Sequence, residues 1–203
     1  MTITVPFIFG LGSRYSYLAA TQLEAIEQRT GCTFDWLPLQ SAELIRRANG
    51  GSSPFEGEKP SGQYDWAFRA RDAKDWADFY GVPYTEPADP RHDTADMAKA
   101  CWAAHEHGKL KQMCMAVFEA KFVSGEQVSR QTLETLADGI GLNGAALIER
   151  IDAPEVIACH DEVMDQALDD GVFGVPAFLV NGKMFWGNDR LPLVEHALAQ
   201  ATA

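Results

Sequence analysis

The chain has 203 residues, of which 46% are hydrophobic and 23% are charged, as expected for one globular unit or a domain that carries a large insertion. Its 17 basic and 29 acidic side chains give a net charge of −12, which disfavours nonspecific binding to nucleic acid or anionic lipid and favours a small molecule or a protein as partner. The N-terminus lacks the features of a signal peptide and no apolar run reaches membrane-spanning length, so we expect a cytoplasmic protein with no membrane partner.

The first forty residues predict a strand, a helix and a second strand. An apolar strand, Val5 to Phe9, is followed by a short glycine-containing loop and by helical apolar spacing from Tyr15 to Gln28. Thr33 to Leu39 then alternates as a strand does. This order is a βαβ unit, in which we expect a right-handed crossover.

The middle of the chain, from Ala42 to about Ala167, shows no convincing strand, and several of its segments favour helix. Glycine-containing breaks with helix-ending chemistry separate its segments. The predicted helices are Tyr64 to Tyr80, Thr94 to His107, Lys109 to Phe122, Arg130 to Ile140 and Gly144 to Ile151.

The last third of the chain predicts a hairpin and a helix. After a helix that ends near Asp170, two apolar runs, Ala177 to Val180 and Lys183 to Trp186, are joined by Asn181-Gly182, a strong signal for a β-hairpin. A final helix covers Leu191 to Gln200. The fold class is therefore α/β, with helices inserted between a βαβ half and a ββα half. We expect one domain formed by residues 1–41 and 168–203, and an inserted helical domain of residues 42–167.

Cysteine and acidic side chains suggest neither a metal nor a disulfide site. The four cysteines are scattered, with no C-x-x-C motif and no paired Cys/His spacing of the structural zinc type. Asp89, Asp93 and Asp96 lack the spacing of a calcium loop, and we expect them on a solvated surface.

Ser13 is the first candidate for chemistry, because it falls where a strand ends and a helix begins. Its hydroxyl and the first backbone N–H groups of the helix would face one space at the positive end of the helix dipole, which favours an anion. The same field would lower the pKa of a bound thiol, and the hydroxyl could donate to the thiolate. The alternative is that Ser13 only caps the helix.

Two further segments are candidates near the chain's end. A proline at the start of a strand, as in Val175-Pro176, lies at an edge, at a bulge or in a cis peptide, although a trans turn is the commoner outcome. Asn188 and Asp189 precede the last helix, where they could bind the charged groups of a small zwitterion or simply cap the helix.

These segments carry a resemblance to a known family. Ser13-Arg14-Tyr15-Ser16-Tyr17-Leu18 resembles S-P-Y-S-Y-L, and residues 171–178 and 185–191 resemble GVFGVPTF and FWGQDRL, which are signatures of the 2-hydroxychromene-2-carboxylate isomerases. Those enzymes are similar to kappa-class glutathione transferases. Both share a fold with bacterial disulfide oxidoreductases, in which a helical domain is inserted into thioredoxin.

The resemblance implies a glutathione site. Ser13 would be catalytic and hold the glutathione thiolate, Val175 would pair its backbone with the cysteinyl part beside a cis Pro176, and Asn188 with Asp189 would hold the γ-glutamyl end. Asn49 stands near the place where the family often has a glutathione-contacting asparagine. Ser13 and Ser16 occupy the positions of the two cysteines of the oxidoreductases, so the thiol must come from glutathione.

The substrate side is defined less well by the resemblance. Arg14 replaces the usual proline, and it could strengthen the positive field at the thiolate or contact a substrate carboxylate. A lysine common in the family has no clean counterpart, since Lys59 is out of register. Tyr15, Trp102 and Phe173 are candidate walls for a flat aromatic substrate, with the hydrophobic core as the alternative location.

The resemblance also implies an activity. The family interconverts 2-hydroxychromene-2-carboxylate and trans-o-hydroxybenzylidenepyruvate in the bacterial degradation of naphthalene and similar aromatic hydrocarbons, and its members tend to be homodimers. We hypothesise reversible thiolate addition, bond rotation and elimination. Two alternatives remain at this point: a kappa-like glutathione transferase that forms stable conjugates, and a noncatalytic thioredoxin-fold protein that binds peptides beside Pro176.

Overall fold

A computed structural model describes residues 2–55 and 62–201 of the chain. Lys59 therefore lies outside the described residues. Two short 3-10 helices, Gly62–Tyr64 and Asn188–Arg190, accompany the regular elements. These elements are β1 (Thr4–Gly10), α1 (Arg14–Thr30), β2 (Thr33–Leu39), α2 (Ser41–Ala48), α3 (Trp66–Tyr80), α4 (Ala95–His105), α5 (Leu110–Phe122), α6 (Arg130–Gly139), α7 (Gly144–Arg150), α8 (Pro154–Asp169), β3 (Ala177–Val180), β4 (Lys183–Trp186) and α9 (Leu191–Ala201).

The strands form one sheet in the order β2-β1-β3-β4. β1 and β2 are parallel and joined through α1, whereas β3 runs antiparallel to β1 and forms the predicted hairpin with β4. In the β1/β3 register Phe7 lies opposite Phe178 and Ile8 opposite Ala177. Continuing that register brings the residues just before β3 to the end of β1, where α1 begins.

The two faces of the sheet are covered by different parts of the chain. On one face Phe7 and Phe9 stack with ring centroids 4.5 Å apart, and Phe9 meets Phe118 of α5 at 5.7 Å. On the other face Ile8 packs in a second cluster that includes Met164 of α8. This alternation follows from the period of two along a strand.

The predicted element order is confirmed, since every described element between β2 and β3 is helical. α2 was not predicted. It has only eight residues and no side-chain cap of its own, because its N-cap Gln40 donates to another segment. The proposed domain boundary at residue 167 falls inside α8, whose last turns pack against the sheet. The division into two domains stays a prediction.

Candidate functional site

The N-terminus of α1 forms the centre of the candidate site. Ser13 is the N-cap residue, half-buried, and its Oγ accepts a hydrogen bond from the backbone N–H of Ser16 at 3.3 Å. The hydroxyl hydrogen has no acceptor in the described part of the chain. Ser13 thus caps the helix and still has a hydrogen to donate, so the two roles considered for it are compatible.

Ser16 is not a second open hydroxyl. It is fully buried, and its Oγ lies 3.4 Å from the backbone N–H of Gly10, from which it accepts. The position that holds a second cysteine in disulfide oxidoreductases therefore serves in this protein to fix the end of β1.

The loop between β1 and α1 is pressed against Asp93. A Cβ on Gly12 would lie 2.5 Å from the Cβ of Asp93, so only glycine fits there. The Asp93 carboxylate accepts from the hydroxyl of Ser41 at 2.6 Å and from the N–H of Ala42 at 2.8 Å, which caps α2. The prediction of a solvated surface is therefore wrong for Asp93, and removal from water raises the pKa of its carboxyl.

Val175 and Pro176 lie across from the end of β1. The bond between them is cis, as the resemblance implies. The N–H and C=O of Val175 have no hydrogen-bond partner among residues 2–55 and 62–201. Val175 is half-buried, so its open backbone pair is available to an extended peptide-like ligand.

A backbone hydrogen bond ties the segment after β4 to this place. The N–H of Gly187 donates to the carbonyl of Pro176 at 2.9 Å, and the 3-10 helix Asn188–Arg190 follows directly. Asp189 is exposed, and its carboxylate lies 3.5 Å from a guanidinium nitrogen of Arg190.

Asn188 has a different environment from Asp189. It is buried, and its backbone carbonyl accepts a hydrogen bond from the hydroxyl of Tyr80 at 3.1 Å. Its side-chain Nδ2 donates to the Tyr80 hydroxyl oxygen at 3.4 Å. Asn188 therefore anchors the segment to α3, whereas the Asp189 carboxylate is exposed beside Arg190.

The N-terminus of α1, with Ser13 and the facing Val175, is called the mouth of α1 below. Two predicted residues are not brought to it. Asn49 ends α2, is exposed, and donates through Nδ2 to the carbonyl of Ile45 at 2.7 Å. Because α2 starts beside Gly10 and is eight residues long, Asn49 lies about 12 Å farther along it. Trp102 belongs to the core, only 9% exposed, with its indole N–H bonded to the carbonyl of Pro38 at 3.0 Å, so the alternative location applies and it does not form an open wall.

Arg14 is buried beside the mouth. Its side chain is 4% exposed, and Nη2 forms an ion pair with Oε1 of Glu86 at 2.8 Å. The other oxygen of Glu86 accepts from the hydroxyl of Tyr84. Nη1 of Arg14 is buried with no partner in the described residues, and the guanidinium carbon lies 5.6 Å from the centroid of Trp66.

Tyr15 faces the same side of α1. Its hydroxyl donates to Oδ2 of Asp72 at 2.7 Å, and the guanidinium of Arg69 lies 5.0 Å from its ring centroid. Burial and the hydrogen bond to Asp72 raise the pKa of Tyr15, so the phenol stays protonated at neutral pH. Tyr15 is therefore a half-buried wall with its polar end already bonded.

Phe173 belongs to a different segment, two residues before Val175 and its cis bond to Pro176. It is 44% exposed and meets Trp186, itself 46% exposed, at a centroid distance of 5.0 Å. Gly174 lets the indole approach, since a Cβ there would be 2.8 Å from Nε1 of Trp186. This open aromatic pair is compatible with the predicted wall.

Sequence reasoning missed Trp66, Arg69 and Glu86, which line the arginine side of the mouth. Trp66 and Arg69 are three residues apart on α3, hence on one face of the helix, and this spacing is the one sequence signal that could have pointed to them. Glu86 lies in an irregular segment with no such signal.

Comparisons with known proteins agree with this geometry. A family model described as the DSBA-like thioredoxin domain matches residues 4–199. A 2-hydroxychromene-2-carboxylate isomerase of Sphingobium xenophagum is 31% identical over 98% of this chain and 99% of its own length.

Solved structures show the same fold. A 2-hydroxychromene-2-carboxylate isomerase superposes with a TM-score of 0.84 at 24% identity, covering 98% of this chain and 96% of that chain. The cytosolic disulfide reductase DsbM of Pseudomonas aeruginosa, solved with GSH, has a TM-score of 0.66 at 16% identity, and the match covers 98% of each chain.

Within the described residues, no helix combines the length and the apolar character needed to span a membrane.

Proposed function

Because the chain belongs to the DSBA-like thioredoxin domain family and, within it, to the 2-hydroxychromene-2-carboxylate isomerases, we propose that it is a glutathione-dependent isomerase of 2-hydroxychromene-2-carboxylate and trans-o-hydroxybenzylidenepyruvate. The observation that carries the glutathione part is the half-buried Ser13 hydroxyl at the start of α1, together with the open backbone pair of Val175. The fold alone would also suit disulfide exchange, but both cysteine positions are serine.

The residues present fit glutathione. An extended tripeptide can pair with the N–H and C=O of Val175 as one more strand would. The exposed carboxylate of Asp189 is suited to the α-ammonium group at the γ-glutamyl end. Asn188 supports this placement by fixing the backbone of its segment through Tyr80.

Bound glutathione would supply a thiolate that adds reversibly to the enone carbon of the ring-opened substrate, so that the conjugated C=C becomes a single bond, rotates, and is restored on elimination. Ser13 donates its hydroxyl hydrogen towards the sulfur, and the first N–H groups of α1 add their positive field. Both favour the anion, so the chain lowers the pKa of a thiol held there without forming a bond to it.

The substrate side has two aromatic walls. Tyr15 and Phe173 come from different segments beside the mouth, where a flat ring can pack. We place the aromatic ring of the substrate between them, with its carboxylate on the side of the buried arginines. Asn49 lies at the far end of α2 and Trp102 in the core, so neither forms one of these walls. The contact of Asn49 with glutathione stays a prediction.

Incubation with the chromene carboxylate, with and without glutathione, tests the proposal. We expect the absorbance of the benzylidenepyruvate to approach equilibrium only when glutathione is present. S-methylglutathione, which has no free thiol, is the matched control and should not support turnover. Equal rates with and without glutathione would contradict the cofactor assignment.

Mass spectrometry of the products separates isomerase from transferase. An isomerase returns glutathione unchanged, so the product mass equals the substrate mass. Accumulation of a stable conjugate in proportion to enzyme would instead identify a transferase.

A further inference from the structure

Buried polar nitrogens without partners concentrate at one place in the molecule. In the described residues, the buried side-chain N and O atoms that lack a hydrogen bond are Nη1 of Arg14, Nε of Arg69, and the indole Nε1 atoms of Trp66 and Trp36. Except for Trp36, which packs against β1 in the core, these residues lie beside the mouth of α1. Because an unpaired buried donor costs about 1–3 kcal/mol, a group of them calls for an explanation.

A chain of contacts joins the donors. The guanidinium of Arg14 lies 5.6 Å from the centroid of Trp66, and Trp66 meets Phe55 at a ring distance of 5.4 Å. The guanidinium of Arg69 lies 5.0 Å from the rings of both Phe55 and Tyr15. The donors are thus linked through two aromatic rings in contact, Trp66 beneath Arg14 and Phe55 beneath Arg69. We call this set the arginine–aromatic cluster (Arg14, Phe55, Trp66, Arg69).

The donor nitrogens of the cluster are only partly bonded to carboxylates. Glu86 pairs with Arg14 through Nη2 alone, and Asp72 is bonded to the hydroxyl of Tyr15. In the parts of the chain that are described, Arg69 forms no side-chain hydrogen bond and no ion pair. Burial lowers the pKa of Arg69, yet a guanidinium stays protonated in proteins. Its positive charge therefore lacks a hydrogen-bonded anion in the described residues.

We propose that the arginine–aromatic cluster is the carboxylate subsite of the substrate, with Arg69 as the main binding residue and Arg14 Nη1 and Trp66 Nε1 as additional donors. This inference rests on the proposed function, which it deepens. It shifts the carboxylate from Arg14, already committed to Glu86, to an arginine that sequence reasoning missed.

An aromatic carboxylate fits the chemistry of the cluster better than an inorganic anion. The two guanidinium groups and the indole offer donors that suit the two oxygens of a carboxylate, and Phe55, Trp66 and Tyr15 offer apolar faces. The N-termini of α1 and α3, at Arg14 and Trp66, add their dipoles on the same side.

Calorimetric titration with benzylidenepyruvate, compared with its primary carboxamide, tests the inference without turnover. The titrations contain no glutathione, and the amide keeps the ring and the enone while removing the charge. For Arg69→Gln we expect the dissociation constant of the acid to rise about 10- to 100-fold, as for one lost charge-assisted hydrogen bond, with that of the amide unchanged.

Arg71→Gln is the matched control, since it removes an exposed arginine from the same helix and should leave both affinities as in the wild type. If Arg69→Gln does not fold, Trp66→Phe keeps an aromatic ring and removes only the indole donor, and we expect a severalfold loss for the acid alone. Acid binding within twofold of the wild type in the folded variants, or equal losses for acid and amide, would overturn the inference.

The outcome for the proposed function is read separately. A protein that binds the acid through Arg69 but never isomerises it keeps the subsite and loses the function. An active isomerase whose KM for the substrate is unaffected by Arg69→Gln keeps the function and loses the subsite.

Discussion

The two sides of the α1 mouth differ in what they leave unsatisfied. On the side of the sheet, Ser13 and Val175 offer a hydroxyl hydrogen and a backbone pair that are partly open to solvent. On the side of the helical insertion, Arg14 and Arg69 offer buried charged donors among aromatic rings. The first arrangement suits a flexible peptide that arrives from solution, and the second suits a small rigid anion with an apolar body.

The difference also shows how the two sides are built. The donors on the sheet side belong to short segments between β1 and α1 and directly before β3, so a few residues specify them. The donors on the insertion side come from α1 and α3, with the ring of Phe55 from the segment before α3, and they meet only because these elements pack together. The comparison predicts that variants on the two sides separate effects on glutathione from effects on substrate.

Ser13→Ala should have the largest effect on activity. Loss of one donor to a developing or bound anion typically reduces kcat about 100- to 1000-fold, and steady-state assays at saturating glutathione measure this directly. The lost N-cap costs about 1 kcal/mol of stability, so folding should persist.

Ser129→Ala is the control for Ser13→Ala. Ser129 caps α6 through the same kind of hydrogen bond, to the N–H of Thr132 at 3.2 Å. A comparable loss of stability with normal turnover is expected. Normal turnover in Ser13→Ala would remove Ser13 from the mechanism.

Glu86→Gln tests whether Arg14, on the insertion side, contributes to the binding of the substrate carboxylate. It keeps an acceptor for Tyr84 but leaves the buried Arg14 without a counter-charge, so the free energy of unfolding should fall by about 3 kcal/mol. Saturating benzylidenepyruvate should restore part of the lost stability, and its dissociation constant should decrease, because the freed guanidinium can bind the acid. Urea denaturation with and without the acid provides the measurement. If the acid restored no more stability in the variant than it adds to the wild type, Arg14 would have no role in the anion site.

Asp189→Asn tests whether the exposed carboxylate on the sheet side contributes to the binding of glutathione. Removing one exposed carboxylate should raise the KM for glutathione about fivefold, equivalent to about 1 kcal/mol, while kcat stays the same. Asp170→Asn, at another exposed position, is the control and should leave both constants unchanged. A change in the KM for the aromatic substrate, with glutathione unaffected, would place Asp189 on the wrong side of the mouth.

For Asp93→Asn we expect a smaller effect, a change in the free energy of unfolding that depends on pH. The pKa of Asp93 in the folded protein is raised by removal from water, so its contribution to stability is present below the ordinary value near 3.8 and is lost as the pH rises through the folded value. The difference in unfolding free energy between Asp93→Asn and the wild type should therefore move in favour of the variant with rising pH. Denaturation at several pH values measures it, with the exposed Asp89→Asn as the control, and a drift of opposite sign would contradict the burial argument.

The sequence by itself determined the order of the elements and where Ser13 and Val175 lie relative to them. β2, β3 and β4 have the predicted limits, because alternation, Asn181-Gly182 and Gly31 act over a few neighbouring residues. The position of Ser13 at the start of α1 follows from the adjacent strand and helix patterns, and the cis bond before Pro176 was expected from the family resemblance.

Only the tertiary structure decided the rest. α2 forms with a cap supplied by Asp93, fifty-one residues after Ala42, and no local pattern announces it. The same reason explains Asn49, Trp102 and Arg69, whose surroundings are set by packing between distant segments. Hydrogen bonds and burial of this kind depend on which helices meet, whereas periodicity and turn chemistry depend on adjacent residues alone.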